Sequence, residues 1–269
     1  MSSISRLPSG GGILGSIDPV LDNNTWTQIK VVAAAGQGPN YWAVGDCKGV
    51  EINGWVSDGL TLSGTYYCFI LGFDHNSEKE GTGIHFQFGK TALTGGTDIA
   101  FTDSEYGKSG GTVTYLRMNW QNSNSGGWGG SEMRKNICSP FLSKLPTDMQ
   151  SAIAFCQKYS DNTGGGSNTA SYVTATSDKI WLLSEFEVHG TRSYANSAEQ
   201  NYQKQYDYYK NGNSKVKYRH NSTSSACAWW LRSVWSNSGI GFCAMKTDGS
   251  AGSSGASNSV GFAPGFKIG

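Results

Sequence analysis

The chain has 269 residues, a formal net charge of +1 and only 15% charged residues, with 37 Gly, 9 Trp and 13 Tyr. So small a net charge argues against a nucleic acid or an anionic membrane held by bulk electrostatics. No apolar run reaches membrane-spanning length and the start lacks the plan of a signal peptide, so we expect a protein made in the cytoplasm, neither exported by that route nor inserted into a membrane.

Residues 1–24 are predicted to form an N-terminal arm. They contain a Gly triplet, two prolines and few large apolar groups. A disordered end and an attachment segment for a larger assembly both fit this composition, and the sequence leaves the two open.

The next part, from Thr25 to Lys90, predicts one helix and then a sheet. Thr25 and Gln28 form a capping box and Gly36 is placed to end the helix, whose apolar face is Trp26, Ile29, Val32 and Ala33. Alternating apolar residues then predict strands around Val50 and Ile52, Leu60 and Leu62, Tyr66 to Phe73, and Ile84 to Phe88.

The middle of the chain predicts a long polar excursion followed by helices. Thr91 to Gly130 is expected to lie over the sheet, anchored by Tyr115, Leu116, Met118 and Trp120. Ser131 is expected to cap a helix that Pro140 stops, and Thr147 to Gln150 to form a second capping box.

Further elements are predicted after the glycine-rich stretch at residues 164–166. Tyr172 to Thr176 and Lys179 to Leu183 have strand patterns, and Ser184 with Glu187 caps a short helix. Ser197 is expected to open a longer helix, closed by Gly212, whose tyrosines Tyr202, Tyr206 and Tyr209 serve packing.

The C-terminal region, residues 226–269, is apolar at both ends and rich in Ser, Gly and Asn in the middle. Ile240, Phe242 and Ala244 alternate with Gly241, Cys243 and Met245, which predicts a short strand ending at the turn Thr247 to Gly249. Small polar residues dominate the remainder, and composition alone leaves filler loops and a binding surface both open.

The sequence carries no standard catalytic motif, and we expect no enzyme activity, no metal and no cofactor. Glu185, Glu187 and His189 are the residues that come closest to an acid–base catalytic group, although helix capping already explains Glu187. His75 and His85, near Asp74 and Glu78, lack a fixed metal-ligand spacing. The six cysteines are expected to be reduced, with Cys227 and Cys243 the one pairing worth checking.

Seven segments together resemble a domain family common in phages and prophages of gut Firmicutes, over roughly Thr25 to Gly269. They are residues 25–29, 41–46, 70–75, 126–134, 145–146, 176–185 and 229–233. The resemblance implies an α+β, C-type lectin-like domain at residues 25–269, with mixed antiparallel sheets, a few packed helices and long loops. Related proteins are the formylglycine-generating enzyme and the variable proteins of diversity-generating retroelements.

By this resemblance the ligand-binding face lies in the variable-type region 226–269. The implied ligand-binding residues are Trp235, Ser236, Asn237, Ser238, Ile240, Phe242, Ala244, Lys246, Asp248, Ser250, Gly252, Ser253 and Ser254. Trp229, Trp230 and Arg232 would be the fixed scaffold beneath them. Trp235, Met245 and Lys246 do not arise from the mutable adenine codons of such retroelements.

The resemblance implies a receptor-binding protein at a phage tail tip or fibre, part of the virion. Expected partners are a bacterial cell-surface glycan or protein, and other tail proteins reached through the arm. We expect a homo-oligomer, with a trimer favoured, because weak single sites gain avidity when multiplied. Calcium-binding sugar triplets and paired catalytic cysteines of the related folds are missing. The alternatives are a structural tail or capsid component and an enzyme of the formylglycine-generating fold.

Overall fold

The structure, a computed structural model, describes residues 16–110 and 115–269. In these two stretches helices and mostly antiparallel, curled sheets are mixed, which confirms the α+β class. The strands are β1 (Cys47–Ser57), β2 (Leu60–Phe73), β3 (Ile84–Lys90), β4 (Ile99–Ala100), β5 (Ile153–Ala154), β6 (Cys156–Asp161), β7 (Val173–Asp178), β8 (Ile180–Trp181), β9 (Lys217–Arg219), β10 (Ser222–Cys227), β11 (Trp229–Val234), β12 (Gly241–Met245), β13 (Ala251–Gly255) and β14 (Gly265–Ile268).

Helices in the described part of the chain are short. The α-helices are α1 (Trp26–Ala34), α2 (Ser77–Glu80), α3 (Gly127–Gly130), α4 (Ser139–Phe141), α5 (Thr147–Ala152), α6 (Glu185–His189) and α7 (Asp207–Lys210). Short 3-10 helices are Leu21–Asn23, Gly38–Asn40, Leu142–Lys144, Ala170–Tyr172 and Ser197–Asn201, and Met133–Cys138 is a π-helix. No helix within the described ranges has the length and apolarity needed to cross a bilayer.

The largest sheet joins the two ends of the domain. Its order is β1-β2-β3-β14-β5, with β8 also paired to β14. Phe266 of β14 lies opposite Phe86 of β3, and their rings stack at 5.1 Å. Strand β14 therefore packs into the same core as β1 to β3. Strands β1 to β3 confirm the predicted strand pattern.

Helix α1 covers one face of this sheet. The capping box of Thr25 and Gln28 is formed as predicted, and Trp26 packs edge-on against Phe86 and Phe266 at 5.8 and 6.0 Å. Aromatic side chains of this size bury large apolar areas, so the contact is a major source of stability for the sheet.

A second, three-stranded sheet has the order β11-β12-β13. Its central strand β12 is the strand predicted from the alternation, and it is buried along its whole length. Phe242 and Ala244 face the larger hydrophobic cluster, whereas Cys243 and Met245 face a smaller one. Both faces of β12 are therefore covered.

Several predicted helix boundaries are wrong. Pro140 does not stop the helix after Ser131, since α4 continues through it from the π-helix. The predicted box at Thr147 is not formed, because Pro146 occupies the capping position without a side-chain hydrogen bond. The single helix expected from Ser197 to Gly212 is two short pieces, Ser197–Asn201 and α7.

Part of the predicted arm is packed against the domain. Leu21 is buried, the carboxylate of Asp22 accepts the N–H of Gly49 at 2.8 Å, and the indole of Trp42 donates to the carbonyl of Asp18. Residues 16–24 are therefore docked beside β1, and residues 1–15 lie outside the described ranges.

Candidate ligand-binding surface

Three loops meet at one buried side chain, that of Asn124. Its Nδ2 donates to the carbonyl oxygens of Ser238 (2.6 Å) and Gly241 (2.8 Å), while its Oδ1 accepts the N–H of Gly165 (2.9 Å). An amide buried with its hydrogen bonds made holds its partners in place, because losing one bond would leave a desolvated polar atom. We call loops 119–126, 163–167 and 235–240 the three-loop surface.

Glycines allow these loops to touch through their backbones. Gly164 has a φ of 69°, and a Cβ there would lie 2.0 Å from the carbonyl oxygen of Asn124. Gly166 has a φ of 78°, and its Cβ would lie 3.0 Å from the amide nitrogen of Gly239. Only glycine tolerates both the backbone angle and the contact, so this Gly-rich stretch packs one loop on another.

The outer side of the three-loop surface exposes two large apolar side chains. Trp120 is 50% exposed and Ile240 is 49% exposed. Ala256 joins their segments, since its carbonyl accepts the N–H of Asn119 and its N–H donates to the carbonyl of Ile240. The polar side chains exposed beside them are Gln121, Asn122 and Asn237. An indole with neighbouring amides on a fixed backbone is typical of a contact surface.

Trp235 lies at the edge of the three-loop surface as a half-buried ring. It meets Tyr194 edge to face, with ring centroids 5.9 Å apart and planes at 83°. A Cβ on Gly241 would lie 2.9 Å from the indole, so the ring also rests on the backbone of β12. Packing on two sides fixes the ring, and its accessible part is presented in one orientation.

The residues predicted to bind ligand are only partly brought together. Within the three-loop surface the accessible ones are Trp235, Asn237, Ser238 and Ile240. Ser236 is a correction, because it is 1% exposed and its hydroxyl donates to the carbonyl of Tyr194 at 3.0 Å. It holds the loop and does not face solvent.

The prediction is also wrong for the middle of the set. Phe242, Ala244 and Gly252 are buried, because β12 is a central strand with both faces covered and Gly252 pairs with Ala244. Alternation along a strand indicates two faces but not which of them meets water. Ser253 and Ser254 are half-buried on the edge strand β13.

Lys246, Asp248 and Ser250 are exposed at the opposite end of β12. Five strand residues separate this turn from the three-loop surface, which is roughly 17 Å. The Asp248 carboxylate accepts the hydroxyl and the N–H of Ser250 at 2.6 and 2.9 Å, and these bonds lower the pKa of Asp248. The turn is closed on itself and forms a separate exposed patch.

The proposed scaffold residues Trp229, Trp230 and Arg232 are fully buried in β11. The Arg232 guanidinium reaches both carboxylate oxygens of Glu187, with Nη2 2.8 Å from Oε1. A bidentate pair of this kind adds directional specificity to the charge attraction. Arg232 thereby joins β11 to α6.

Lys158 extends this pair into an interior ion network, defined as Glu80, Lys158, Glu187 and Arg232. The Lys158 Nζ lies 2.5 Å from Glu80 Oε2, 3.0 Å from Glu187 Oε1 and 2.9 Å from the hydroxyl of Tyr206. All four charged side chains are at most 2% exposed. The network connects α2, β6, α6 and β11 at the centre of the domain.

The pKa values in the ion network follow from burial opposed by opposite charge. Burial favours the neutral form of Glu187, but the charges of Arg232 and Lys158 outweigh it and hold its pKa well below the usual value. For Glu80 burial dominates, and its pKa is raised despite Lys158. Glu187 and Glu80 raise the pKa of Lys158 against the effect of its burial, so the ammonium stays charged.

The residues considered for acid and base chemistry do not converge. Glu187 forms the predicted capping box with Ser184 and belongs to the ion network. Glu185 is buried and accepts backbone N–H groups of residues 193–195, while His189 Nε2 lies 3.2 Å from the sulfur of Met245. Each side chain is committed to a different structural contact.

Among the residues that the structure describes, two buried groups have metal-ligand chemistry: His75, Glu80 and Glu187, and Glu80, His85 and Cys156. Lys158 places its ammonium against both carboxylates, so an internal cation already supplies the positive charge there. Burial raises the pKa of Cys156 to about 12, which keeps its thiol protonated and a poor ligand. All six cysteines are free thiols, and the pairing of Cys227 with Cys243 is not formed.

The sequence interpretation missed Trp120, Asn122 and Asn124. Trp120 was expected to anchor its loop, but Leu116 and Met118 do so and Trp120 stands in solvent. The available signal was an indole followed by a run of Gln, Asn, Ser and Gly at residues 121–127, which offers no apolar partner on that side. The buried role of Asn124 had no local signal, because its partners lie about 40 and 110 residues away.

Residues 103–269 match a protein family described as "Domain of unknown function (DUF6273)". This is more than half of the chain. The chain belongs to the DUF6273 family. All of the three-loop surface lies within the DUF6273 match, whereas α1 and β1 to β4 precede it. No curated protein and no solved structure matches the sequence.

Proposed function

We propose that this chain is a phage tail-associated receptor-binding protein with a C-type lectin-like fold, which contacts a bacterial cell-surface ligand through the three-loop surface. The observation that carries the proposal is the exposed indole of Trp120. It lies on one of three loops that the buried amide of Asn124 joins by hydrogen bonds. An indole left in water forgoes the free energy that burial would give, and contact with a partner would supply it. The tail location rests on the motif resemblance.

Chemistry favours a neutral glycan as the ligand. An indole packs against the apolar face of a sugar ring, and the amides of Asn122 and Asn237 match sugar hydroxyls as donors and acceptors. The outward side chains of the surface are aromatic, aliphatic, amide or hydroxyl, without charge at residues 120–123 or 235–240. A rigid platform of this kind keeps the entropic cost of binding low.

The deciding experiment compares two exposed tryptophans. Trp120→Ser removes the indole from the three-loop surface, while Trp55→Ser removes one that is 43% exposed on β1 and serves as matched control. We expect Trp120→Ser to weaken binding of the labelled protein to arrayed bacterial polysaccharides and to intact gut Firmicutes by about 30-fold, as for an interface hot spot. Trp55→Ser should bind like the original protein.

Other outcomes identify other functions. Equal binding by the two variants would contradict the proposal. Binding to cells that disappears after protease treatment, together with a blank polysaccharide array, would assign a protein receptor. If Trp120→Ser blocked particle assembly and left binding of the labelled protein to cells unchanged, the chain would be a structural tail component.

A further inference from the structure

A cavity of about 500 Å³ opens between the turn at residues 73–76 and the segment 200–210. This is within the range of about 300–1,000 Å³ common for small-molecule sites. None of its lining residues belongs to the three-loop surface. We call it the lysine-rimmed cavity, for Lys204 and Lys210 at its edge.

The wall of the cavity is a strained turn. Among the described residues, only Asp74 (φ 45°) and Asn76 (φ 49°) combine a side chain with a left-handed backbone, and they flank His75. Such angles cost about 1 kcal/mol or more each and persist where the surroundings enforce them. Here Asp74 Oδ1 accepts the N–H of Gly83, and Asn76 Nδ2 donates to the carbonyl of Tyr202 at 2.7 Å.

His75 is held rigidly by this turn. Its ring stacks on Tyr206 with centroids 3.8 Å apart, and Tyr206 in turn bonds Lys158 of the ion network. Burial, helped by the charge of Lys158, lowers the pKa of His75 to about 3, so the imidazole is neutral with one donor and one acceptor. Its Nε2 is buried and has no hydrogen-bond partner within residues 16–110 and 115–269.

The rim carries two ammonium groups that form no ion pair with a described residue, in a lining that also holds the carboxylates of Asp74 and Asp207. Lys204 and Lys210 are exposed, and no described carboxylate lies within salt-bridge distance of either ammonium. Asp207 and Gln200, also exposed in the lining, offer acceptors and donors for hydroxyl groups. The site can therefore take an anionic group at the two ammonium groups and hydroxyl groups beside them.

Two aromatic side chains complete the lining. Phe73 is half-buried and Phe186 is 5% exposed, and both belong to the lining of the cavity. Aromatic rings, hydroxyl-bonding groups and ammonium groups together fit a molecule with an apolar face, several hydroxyls and an acid. We propose that the lysine-rimmed cavity binds a single sugar unit that carries a carboxylate, at a site separate from the three-loop surface.

The test is titration of the full chain with three sugars of equal size and different charge, followed by amide NMR and calorimetry at low ionic strength. Glucuronate should bind with shifts at residues 73–76 and 200–210, and glucose and glucosamine at least about tenfold more weakly. Lys204→Gln combined with Lys210→Gln should reduce the affinity for glucuronate to that for glucose. Lys108→Gln combined with Lys135→Gln, which changes the net charge equally on the outer surface, should not.

A second variant tests the cavity wall. His75→Phe keeps the aromatic stack on Tyr206 but removes both ring nitrogens, and we expect several-fold weaker glucuronate binding with an unchanged circular dichroism spectrum. Equal affinity for glucose and glucuronate would overturn the role of the ammonium groups. If glycine bound more strongly than glucuronate, the ligand would not be a sugar. If the NMR shifts were confined to residues 119–126 and 235–240, glucuronate would bind the three-loop surface and not the cavity.

Discussion

The ion network and the three-loop surface use polar residues in opposite ways. In the ion network the charged groups of Lys158 and Glu187 are satisfied by other side chains, and water is excluded. On the three-loop surface the main chain, the buried amide of Asn124 and the hydroxyl of Ser236 make structural bonds, which leaves the side chains of Trp120 and Asn237 exposed. Residues whose side chains hold the fold together cannot be replaced without loss of stability, whereas residues whose side chains make no structural bond can be. We therefore expect variation in ligand specificity to come from the loops.

The largest expected effect comes from breaking the ion network. Lys158→Met leaves two buried carboxylates, Glu80 and Glu187, without their shared cation, and should lower the free energy of unfolding by about 3–5 kcal/mol. Urea denaturation measures this. Lys108→Met, which removes a partner of Glu105 at the surface, should cost less than about 1 kcal/mol. Similar losses in both variants would show that the ion network stabilises the fold no more than a surface ion pair does.

A second test uses two neighbours with opposite environments. Phe242→Ala opens a hole in the larger hydrophobic cluster and should cost about 3–5 kcal/mol, since Phe242 is fully buried. Ile240→Ala, two residues earlier, should change the free energy of unfolding by no more than about 0.5 kcal/mol. Thermal and urea unfolding of the pair measure the difference. Near-equal costs would show that Ile240 is part of the core.

Local signals explain which parts of the fold were predictable. Thr25 and Gln28 stand three residues apart and cap α1 by themselves, and Ser184 with Glu187 does the same for α6. The strands β1 to β3 have alternating or continuous apolar residues within one short window. Such patterns need no knowledge of distant residues, and the structure confirms them.

Distant contacts explain the failures. The Ser197 to Gly212 segment has helical spacing, yet Glu199 bonds β6 and β11 and Gln203 bonds the carbonyl of Tyr159, so tertiary hydrogen bonds break the helix. Likewise, the burial of Phe242 depends on β11 and β13 flanking its strand. The ion network joins Glu80 to Arg232 across the chain, and charge pairs at that separation leave no trace in a single sequence.

Glu199 gives the interior a pH dependence, whereas the three-loop surface has no charged side chain at residues 120–123 or 235–240. Burial raises its pKa from 4.5 to about 7, although Ser233, the Asp161 N–H and Arg232 favour the charged form. Between about pH 4.5 and about pH 7 the folded state holds a proton that the unfolded chain has released, so stability falls as the pH rises through this window. The contribution is complete below the lower value and lost above the upper one, and amounts to about 3 kcal/mol.

The comparison of Glu199→Gln with the original chain isolates this group. Burial lowers the pKa values of His75 and His85, and these histidines cost stability as the pH falls below 6.5, the opposite sign. Because both proteins contain them, the difference in free energy of unfolding should move in favour of Glu199→Gln between about pH 4.5 and about pH 7. A difference independent of pH would show that Glu199 is ionised throughout.

The smallest expected effect on stability, and the most direct on the surface, is that of Asn124→Ala. Three hydrogen bonds disappear, two carbonyls and one N–H gain access to water as the loops separate, and we expect a loss of about 1–3 kcal/mol. Asn122→Ala, at an exposed amide of the same loop, is the control and should leave stability nearly unchanged. Hydrogen exchange should rise at residues 163–167 and 235–240 in Asn124→Ala alone, because these loops then lose their common tether while β11 and β12 stay paired. Ligand binding should weaken with it, since Trp120 and Ile240 would no longer be held in one arrangement; faster exchange without weaker binding would mean that the loops act independently.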